Sequence, residues 1–417
     1  MRHLSLPSGP LRSSNFRLLL ACDVISATGT AVAIVALPFA VLAIGGSASD
    51  VGYVAAAYLV PLMGFLILGG VVADRLPRHQ VMVAANGLQA LAQAASAILV
   101  LAGHARVWEL ASLAAARGVG TGFYLPAAEG LLPHTVPAGQ RAQANAMDRI
   151  GRNGGQIGGA ALGGVLAGLA GPGWGLAADA VSFAVAAGLR AGMRFPARPS
   201  APRTGMLHEM REGWRDFITR RWLWVIVLQF AFIVAILTGT ESVLGPLVAD
   251  AHLGGARSWG VILAAEGIGA VLGGFVMIRF RPRRMLLAAS LAVPAESVFL
   301  LALAVPLPVT VIAATAFLTG GCVEVFGVNW ATAMQQEIPP DMLSRLSSYD
   351  ALGSFALAPV GTAVAGPLAG SFGTPAVLAA GAVLIVVLTA AVLLVPDVRH
   401  LERQAPAASG QPGGLAS

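Results

Sequence analysis

Ten ionisable side chains fall inside otherwise apolar stretches of this chain: Asp23, Arg117, Asp148, Arg149, Arg152, Asp179, Glu241, Glu266, Glu296 and Glu324. Few chemistries are open to groups placed this way. Charge is costly in hydrocarbon and persists where it faces a water-filled cavity, an opposite charge, a transported ion or a charged solute. No nucleophile and base cluster near one end of a stretch, as an intramembrane enzyme would require. The seven histidines are scattered and show no metal-ligand spacing, so neither a metal nor another cofactor is expected. A nucleotide loop of the Gly-x-x-x-x-Gly-Lys kind is excluded, because all 26 basic residues are arginine. An ATP-driven pump would need a separate subunit.

A second concentration of charge lies between two apolar stretches, in GGVVADRLPRHQVM at 69–82. Asp74, Arg75 and Arg78 sit in a hinge only a few residues long. A short cytoplasmic loop accounts for the arginines through the positive-inside rule. It does not account for the aspartate.

These groups need long apolar elements to position them. The chain has 417 residues, 56% hydrophobic and 11% charged, against about 25% charged in soluble domains. It cannot cover a soluble surface and is read as an all-α membrane protein embedded in the bilayer. Spans of about 20 residues are expected near 16–44, 51–73, 80–103, 107–132, 142–170, 174–194, 222–249, 258–279, 284–305, 308–334, 346–370 and 374–395. The first is expected to be a retained helix, since no small-residue cleavage site follows a short apolar core. Cys22 and Cys322 lie far apart in apolar stretches and are expected as two buried thiols.

Arginine placement sets the orientation. With both termini cytoplasmic, 21 arginines fall inside, including eight from Arg190 to Arg221; Arg106 and Arg257 fall outside, and Arg117, Arg149 and Arg152 lie within spans. The net charge of +6 is therefore a topology signal and not a nucleic-acid footprint. The expected location is the cell membrane, multi-pass, as a monomer.

The longest polar stretch, 195–221, separates two sets of six spans. It opens with proline and small residues, then places Met206, Met210, Trp214 and Phe217 at near-helical spacing. This predicts a linker with an amphipathic helix on the inner membrane surface. The domains are accordingly 1–194, the 195–221 linker, and 222–417 with a short cytoplasmic tail. The halves repeat. GGVVADRLPRH at 69–79 is echoed by GGFVMIRFRPRR at 273–284, and Asp148 to Gly151 by Asp350 to Gly353. Two related six-helix bundles are an architecture of secondary transporters.

With these motifs in place, the chain resembles the major facilitator superfamily over essentially its whole length. Gly70, Asp74, Arg75 and Arg78 match the family's loop 2/3 signature, with Pro77 where the family has glycine and His79 where it has a base. RGVGTG at 117–122 is similar to its fourth-helix motif. GQIGGAALGG at 155–164 is similar to its fifth-helix antiporter motif, with Ala160 in place of proline. LAADAVSFAVAAGLR at 176–190, MQQEIPPDMLSRLSS at 334–348 and APVGTAVAGPLAG at 358–370 resemble the branch of macrolide-efflux and enterobactin-exporter proteins. The resemblance implies the major facilitator fold, with twelve transmembrane helices in two pseudo-symmetric bundles. It also implies export of a drug-like compound or secondary metabolite, with protons as coupling ion.

That fold would set Asp74 near the start of helix 11, where partial positive charge favours a carboxylate. The hinge is then a latch between the bundles, closing the cytoplasmic side, with Glu129 as a partner for Arg75 and Arg78. The second-half copy has Ile278 where the first has the acid, so a weaker latch is expected there. Asp23 is expected in the cavity, facing Arg117 and carrying the coupled proton. Arg117 acts by proton coupling or as a fixed ion pair. Asp148 is expected to engage Arg149 or Arg152. Asp179 is read as a structural hydrogen-bonding group. Glu266 and Glu324 are candidates to bind a cationic substrate or a proton. Gly151, Gly155, Gly159 and Gly163 recur on one helix face and, with Gly164, predict close helix packing and a surface on which the bundles slide. Phe230, Phe232, Phe317, Phe326 and Trp330 face the cavity or lipid. The alternatives to export are an importer or uniporter of a small metabolite and, in other classes, a membrane sensor or intramembrane enzyme.

Overall fold

The computed structural model describes residues 9–129, 131–132, 135–193, 214–280, 282–305 and 307–403. Among the described residues there is no sheet; one isolated bridge joins Arg284 and Glu402. Twelve long helical segments follow one another among the described residues. The first six are α1 (Ser14–Ala43), α2 (Ala48–Arg75), α3 (Arg78–Leu101), α4 (Val107–Glu129), α5 (Arg141–Leu169) and α6 (Pro172–Ala191). The second six are α7 (Arg221–Leu253), α8 (Ala256–Arg279), α9 (Met285–Ala304), α10 (Val309–Glu337), α11 (Pro340–Phe355 and Ala358–Phe372) and α12 (Thr374–Leu393). Ten of them are long and apolar enough to cross a membrane. The other two, α4 and α5, carry Arg117 and the Asp148–Arg152 charges; at 23 and 29 residues they have the length to span.

Local chemistry sets the helix ends. Ser47 caps α2: its hydroxyl accepts from the Asp50 amide, and the Asp50 carboxylate accepts from the Ser47 amide at 2.8 Å. Tight turns with positive φ at Gly171 (97°) and Gly373 (83°) precede α6 and α12, each with proline in its first turn. Pro294 interrupts α9 between Ala292 and Ala295, because it has no amide hydrogen to continue the ladder. Outward faces are apolar and exposed, as at Leu91 (74%), Leu169 (74%) and Val383 (62%), the pattern of a lipid-facing surface.

Each set of six forms a bundle. In the first, α1 packs on α5 and α6, α3 on α4 and α6, and α2 on α4; in the second, α7 packs on α11, α8 on α10, and α9 on α10 and α12. The sequence repeat has a physical basis. A Cβ on Gly69 would lie 2.9 Å from the Phe123 Cα, and one on its counterpart Gly273 would lie 2.8 Å from the Gly321 Cα. Both glycines thus allow α2 on α4, and α8 on α10, to meet backbone to backbone.

The bundles meet through α5–α8 and α2–α11. A Cβ on Gly260 would stand 2.6 Å from the Ala160 carbonyl oxygen, one on Gly164 2.9 Å from that of Ala256, and one on Gly52 2.7 Å from that of Thr362. These contacts lie at the ends of the helices remote from the start of α1. The expected glycine ladder divides between two surfaces. Gly151, Gly155, Gly159 and Gly163 face α1 within their own bundle, at Val24, Thr28 and Val32. The surface between bundles belongs to Gly164 and Gly260 instead, because Gly164 is one residue round the helix from the ladder.

Residues 194–213, including Met206 and Met210 of the expected amphipathic helix, lie outside the described residues. Residues 214–219 are helical. Trp214 stacks on Phe217 with centroids 5.7 Å apart, and both rings meet Tyr349 of α11. This end of the linker is thereby seated on the second bundle. After α12, the chain returns to the α8–α9 hinge, where the Arg403 amide donates to the Arg283 carbonyl at 2.7 Å.

Candidate functional site

A cavity of about 660 Å³ lies between the bundles. Asp23, Arg117, Tyr124, Arg149 and Arg152 line it from the first bundle, and Glu241, Glu266 and Glu324 from the second. The intramembrane charges singled out in the sequence thus converge on one space, except Asp148, Asp179 and Glu296, which are buried behind it.

Asp23 is 6% exposed and forms an ion pair with Arg190 of α6, which is fully buried. Tyr124 of α4 joins them: its hydroxyl donates to the Asp23 carboxylate at 2.8 Å and accepts from Arg190 at 2.7 Å. The Arg190 guanidinium also lies over the Tyr124 ring, 5.0 Å from its centroid. Asp148 approaches Asp23 from α5, and Arg152, one turn on, pairs with Asp148 at 3.3 Å. Two carboxylates and two guanidiniums therefore balance within one network. Arg190 is its sealed end; Arg152, 47% exposed, is its open end on the cavity.

Arg117 belongs to a different pair. Its guanidinium meets Asp179 of α6 at 3.2 Å, with both side chains buried, and lies 5.5 Å and 5.9 Å from the ring centroids of Tyr58 and Phe183. The expectation that Asp23 faces Arg117 is corrected here. Arg117 lies nearly two helical turns before Tyr124 on α4, so the two levels of α4 engage two different residues of α6. Asp148 engages Arg152, one of its two expected partners. Arg149 is exposed in the cavity wall, without an ion pair among the described residues.

The second bundle is arranged differently. Glu241, Glu266 and Glu296 act electrostatically on one another. None of them, nor Glu324, has a side-chain hydrogen bond or ion pair among the described residues. Glu241 is carried on a π-helical turn, Thr240–Leu244, within α7. No group of His, Cys, Asp and Glu that could hold a metal ion occurs among the described residues.

At the α2–α3 hinge, Arg75 is exposed at the end of α2 and Arg78 opens α3. Gly70 has no atom within 4 Å of where a Cβ would stand. The Asp74 and Glu129 side chains lie outside the described residues, and the latch geometry with them. In the second half, where Ile278 replaces the acid, a carboxylate comes from elsewhere: the Glu402 backbone pairs with Arg284, and its carboxylate lies 3.8 Å from the Arg283 guanidinium on the surface.

Two residues of the Asp23 network, Arg190 and Tyr124, are not singled out by the sequence. Arg190 was grouped with the cytoplasmic arginines, although it falls within the sixth expected span at 174–194; that position was the available signal. Tyr124 carried no signal, being one of four tyrosines in an apolar stretch. Cys322 is half-buried, unlike Cys22, because it lies in the wall of a second cavity.

A family model described as a transmembrane secretion effector matches residues 5–412. The chain is similar to the multidrug efflux pump Tap of Mycolicibacterium fortuitum, with 26% identity over 403 residues covering 92% of this chain and 96% of that protein. It is similar to Tap of Mycobacterium tuberculosis at 27% over 431 residues, covering 96% and 97%. Among solved structures, it resembles the nucleoside transporter NupG (TM-score 0.73, 13% identity, 91% of this chain and 98% of that one). It also resembles a bacterial homologue of the human lysosomal transporter Spinster in an inward-facing and occupied conformation (TM-score 0.70, 17% identity, 96% and 100%). At these identities the structural likeness speaks to fold alone.

Proposed function

The chain belongs to the transmembrane secretion effectors of the major facilitator superfamily, and from that premise we propose that it exports a drug-like compound or secondary metabolite across the cell membrane, driven by protons. The observation that carries this reading is the cavity between the bundles, whose walls hold ionisable groups from both. A site shared by two bodies changes its access when one rocks against the other. The similarity to Tap, a multidrug efflux pump, supports outward transport.

Rocking requires contacts that can be made and broken at each end of the cavity. Gly164 and Gly260 supply small-residue contacts at one end. The 69–79 hinge lies at the other, where Asp74, Arg75 and Arg78 would latch the bundles, with Glu129 as a partner. For proton coupling, Asp148 takes the place first assigned to Asp23. Asp23 is held by Arg190 and Tyr124, whereas the Asp148 partner is half exposed and free to part. In the second bundle, Glu266 and Glu324 present carboxyl groups to the cavity, able to take up a proton or to pair with the amine of a substrate.

The test is the accumulation of a panel of candidate compounds in cells with and without the protein, with and without a proton uncoupler. Export predicts lower accumulation in expressing cells, abolished by the uncoupler. Higher accumulation would establish uptake instead.

A further inference from the structure

A second cavity, about 380 Å³, lies inside the second bundle between α7, α9, α10 and α11. Its walls are apolar and aromatic. Phe230 stacks on Phe326 with centroids 4.1 Å apart, and Phe326 stacks on Trp330 at 6.0 Å. Two carboxyl groups enter it, Glu296 and Asp350, and no basic residue lines it. Asp350 accepts from the Trp330 indole at 2.9 Å and from the Ser354 hydroxyl at 3.2 Å, both neutral donors. Glu296 is 5% exposed and has no side-chain hydrogen bond or ion pair among the described residues.

The first bundle shows what such a place ordinarily requires. Asp148, the repeat counterpart of Asp350, sits in a network with Asp23, and that network contains Arg152 and Arg190. A buried carboxylate without a partner cation is strongly unfavourable. The second bundle keeps Asp350, has Ser354 in the position of Arg152, and leaves open space beside them lined by Phe326 and Trp330.

We propose that this cavity is a binding site for an organic cation with an apolar body, its positive charge set between Glu296 and the faces of Phe326 and Trp330. Aromatic faces attract cations within about 6 Å, and the volume falls in the range of about 300–1,000 Å³ that holds small ligands. Val323 lines both this cavity and the central one, so the two adjoin across α10. The site is independent of transport direction, because binding is read on purified protein.

The probe is benzyltrimethylammonium, compared with neopentylbenzene, its uncharged isostere. Binding to the full chain in lipid nanodiscs is measured by equilibrium dialysis. The cation is expected to bind saturably, and Glu296→Gln to weaken it about tenfold or more, the equivalent of ~1.4 kcal/mol, without changing retention of neopentylbenzene. Ala351→Phe, which fills the cavity and leaves its charges in place, is expected to abolish cation binding, and it serves if Glu296→Gln does not fold. Equal saturable binding of both probes would mean an apolar pocket without charge selection and would overturn the proposal. So would cation binding that survives Ala351→Phe, or that falls with Glu266→Gln in the central cavity and not with Glu296→Gln.

Discussion

Asp23 and Arg190, 167 positions apart in the chain, form an ion pair inside the first bundle, with Arg190 fully buried. The pair joins the first helix of the bundle to the last. Tyr124 completes it from α4, so three helices share one polar centre. The Arg190 Nε and Nη1 atoms find no hydrogen-bond acceptor among the described residues, so Nη2 makes both contacts, and of the three residues only Asp23 supplies countercharge while the neutral Tyr124 hydroxyl accepts a hydrogen bond.

Asp23→Asn is therefore expected to destabilise the protein more than to uncouple it. Removing one partner of a buried pair costs about 3–5 kcal/mol, because the other charge is stranded. Thermal unfolding of the purified protein should show a large loss in Asp23→Asn, and Asp23→Asn with Arg190→Leu should recover much of it. A double variant no more stable than the single one would mean that Arg190 is not the group stranded.

Asp148→Asn is expected to leave the fold intact and abolish proton-driven export while sparing downhill exchange. Arg152 is half exposed and can be hydrated when its partner is neutralised. The measurement is substrate movement in vesicles with and without a pH difference. Uphill export that still follows the pH difference would remove Asp148 as the proton carrier.

Gly260→Leu is expected to lower export about tenfold or more, since small residues are what let two helix backbones approach. Its Cβ would stand 2.6 Å from the Ala160 carbonyl oxygen across the bundle interface. Thiol labelling at Ala160→Cys should rise in this variant as the interface opens. Unchanged labelling with normal export would show that these contacts need not close.

Asp74→Asn is expected to impair export with membrane insertion unchanged, because a helix N-terminus favours a carboxylate over an amide of the same shape. Near-normal export by a well-inserted variant would eliminate the latch.

Cysteines placed at Ala105 and Arg203, in a chain lacking Cys22 and Cys322, are expected to label from opposite sides of the membrane. Labelling of both from outside would overturn the orientation.

Much of the fold was legible in the sequence, for physical reasons. A chain with 11% charged residues must hide its backbone in helices within lipid, and the length of each apolar stretch fixes where those helices run. The ladder of Gly151, Gly155, Gly159 and Gly163 marked a close helix contact, because such an approach tolerates no side chain. The presence of charges within spans marked the cavity, since burial of charge demands a polar neighbour. Pairing was a different matter. Periodicity says which face of a helix a residue occupies, not which residue on another helix lies opposite. Only the packing of α1 on α6, and the reach of α4 side chains to α6, gave Asp23 to Arg190 and Arg117 to Asp179, and only the meeting of α7, α9, α10 and α11 left Glu296 in an aromatic cavity without a cation. Side-chain composition chose the solvent and the elements; the relative rotation and depth of the helices, set by their backbone contacts, chose the partners.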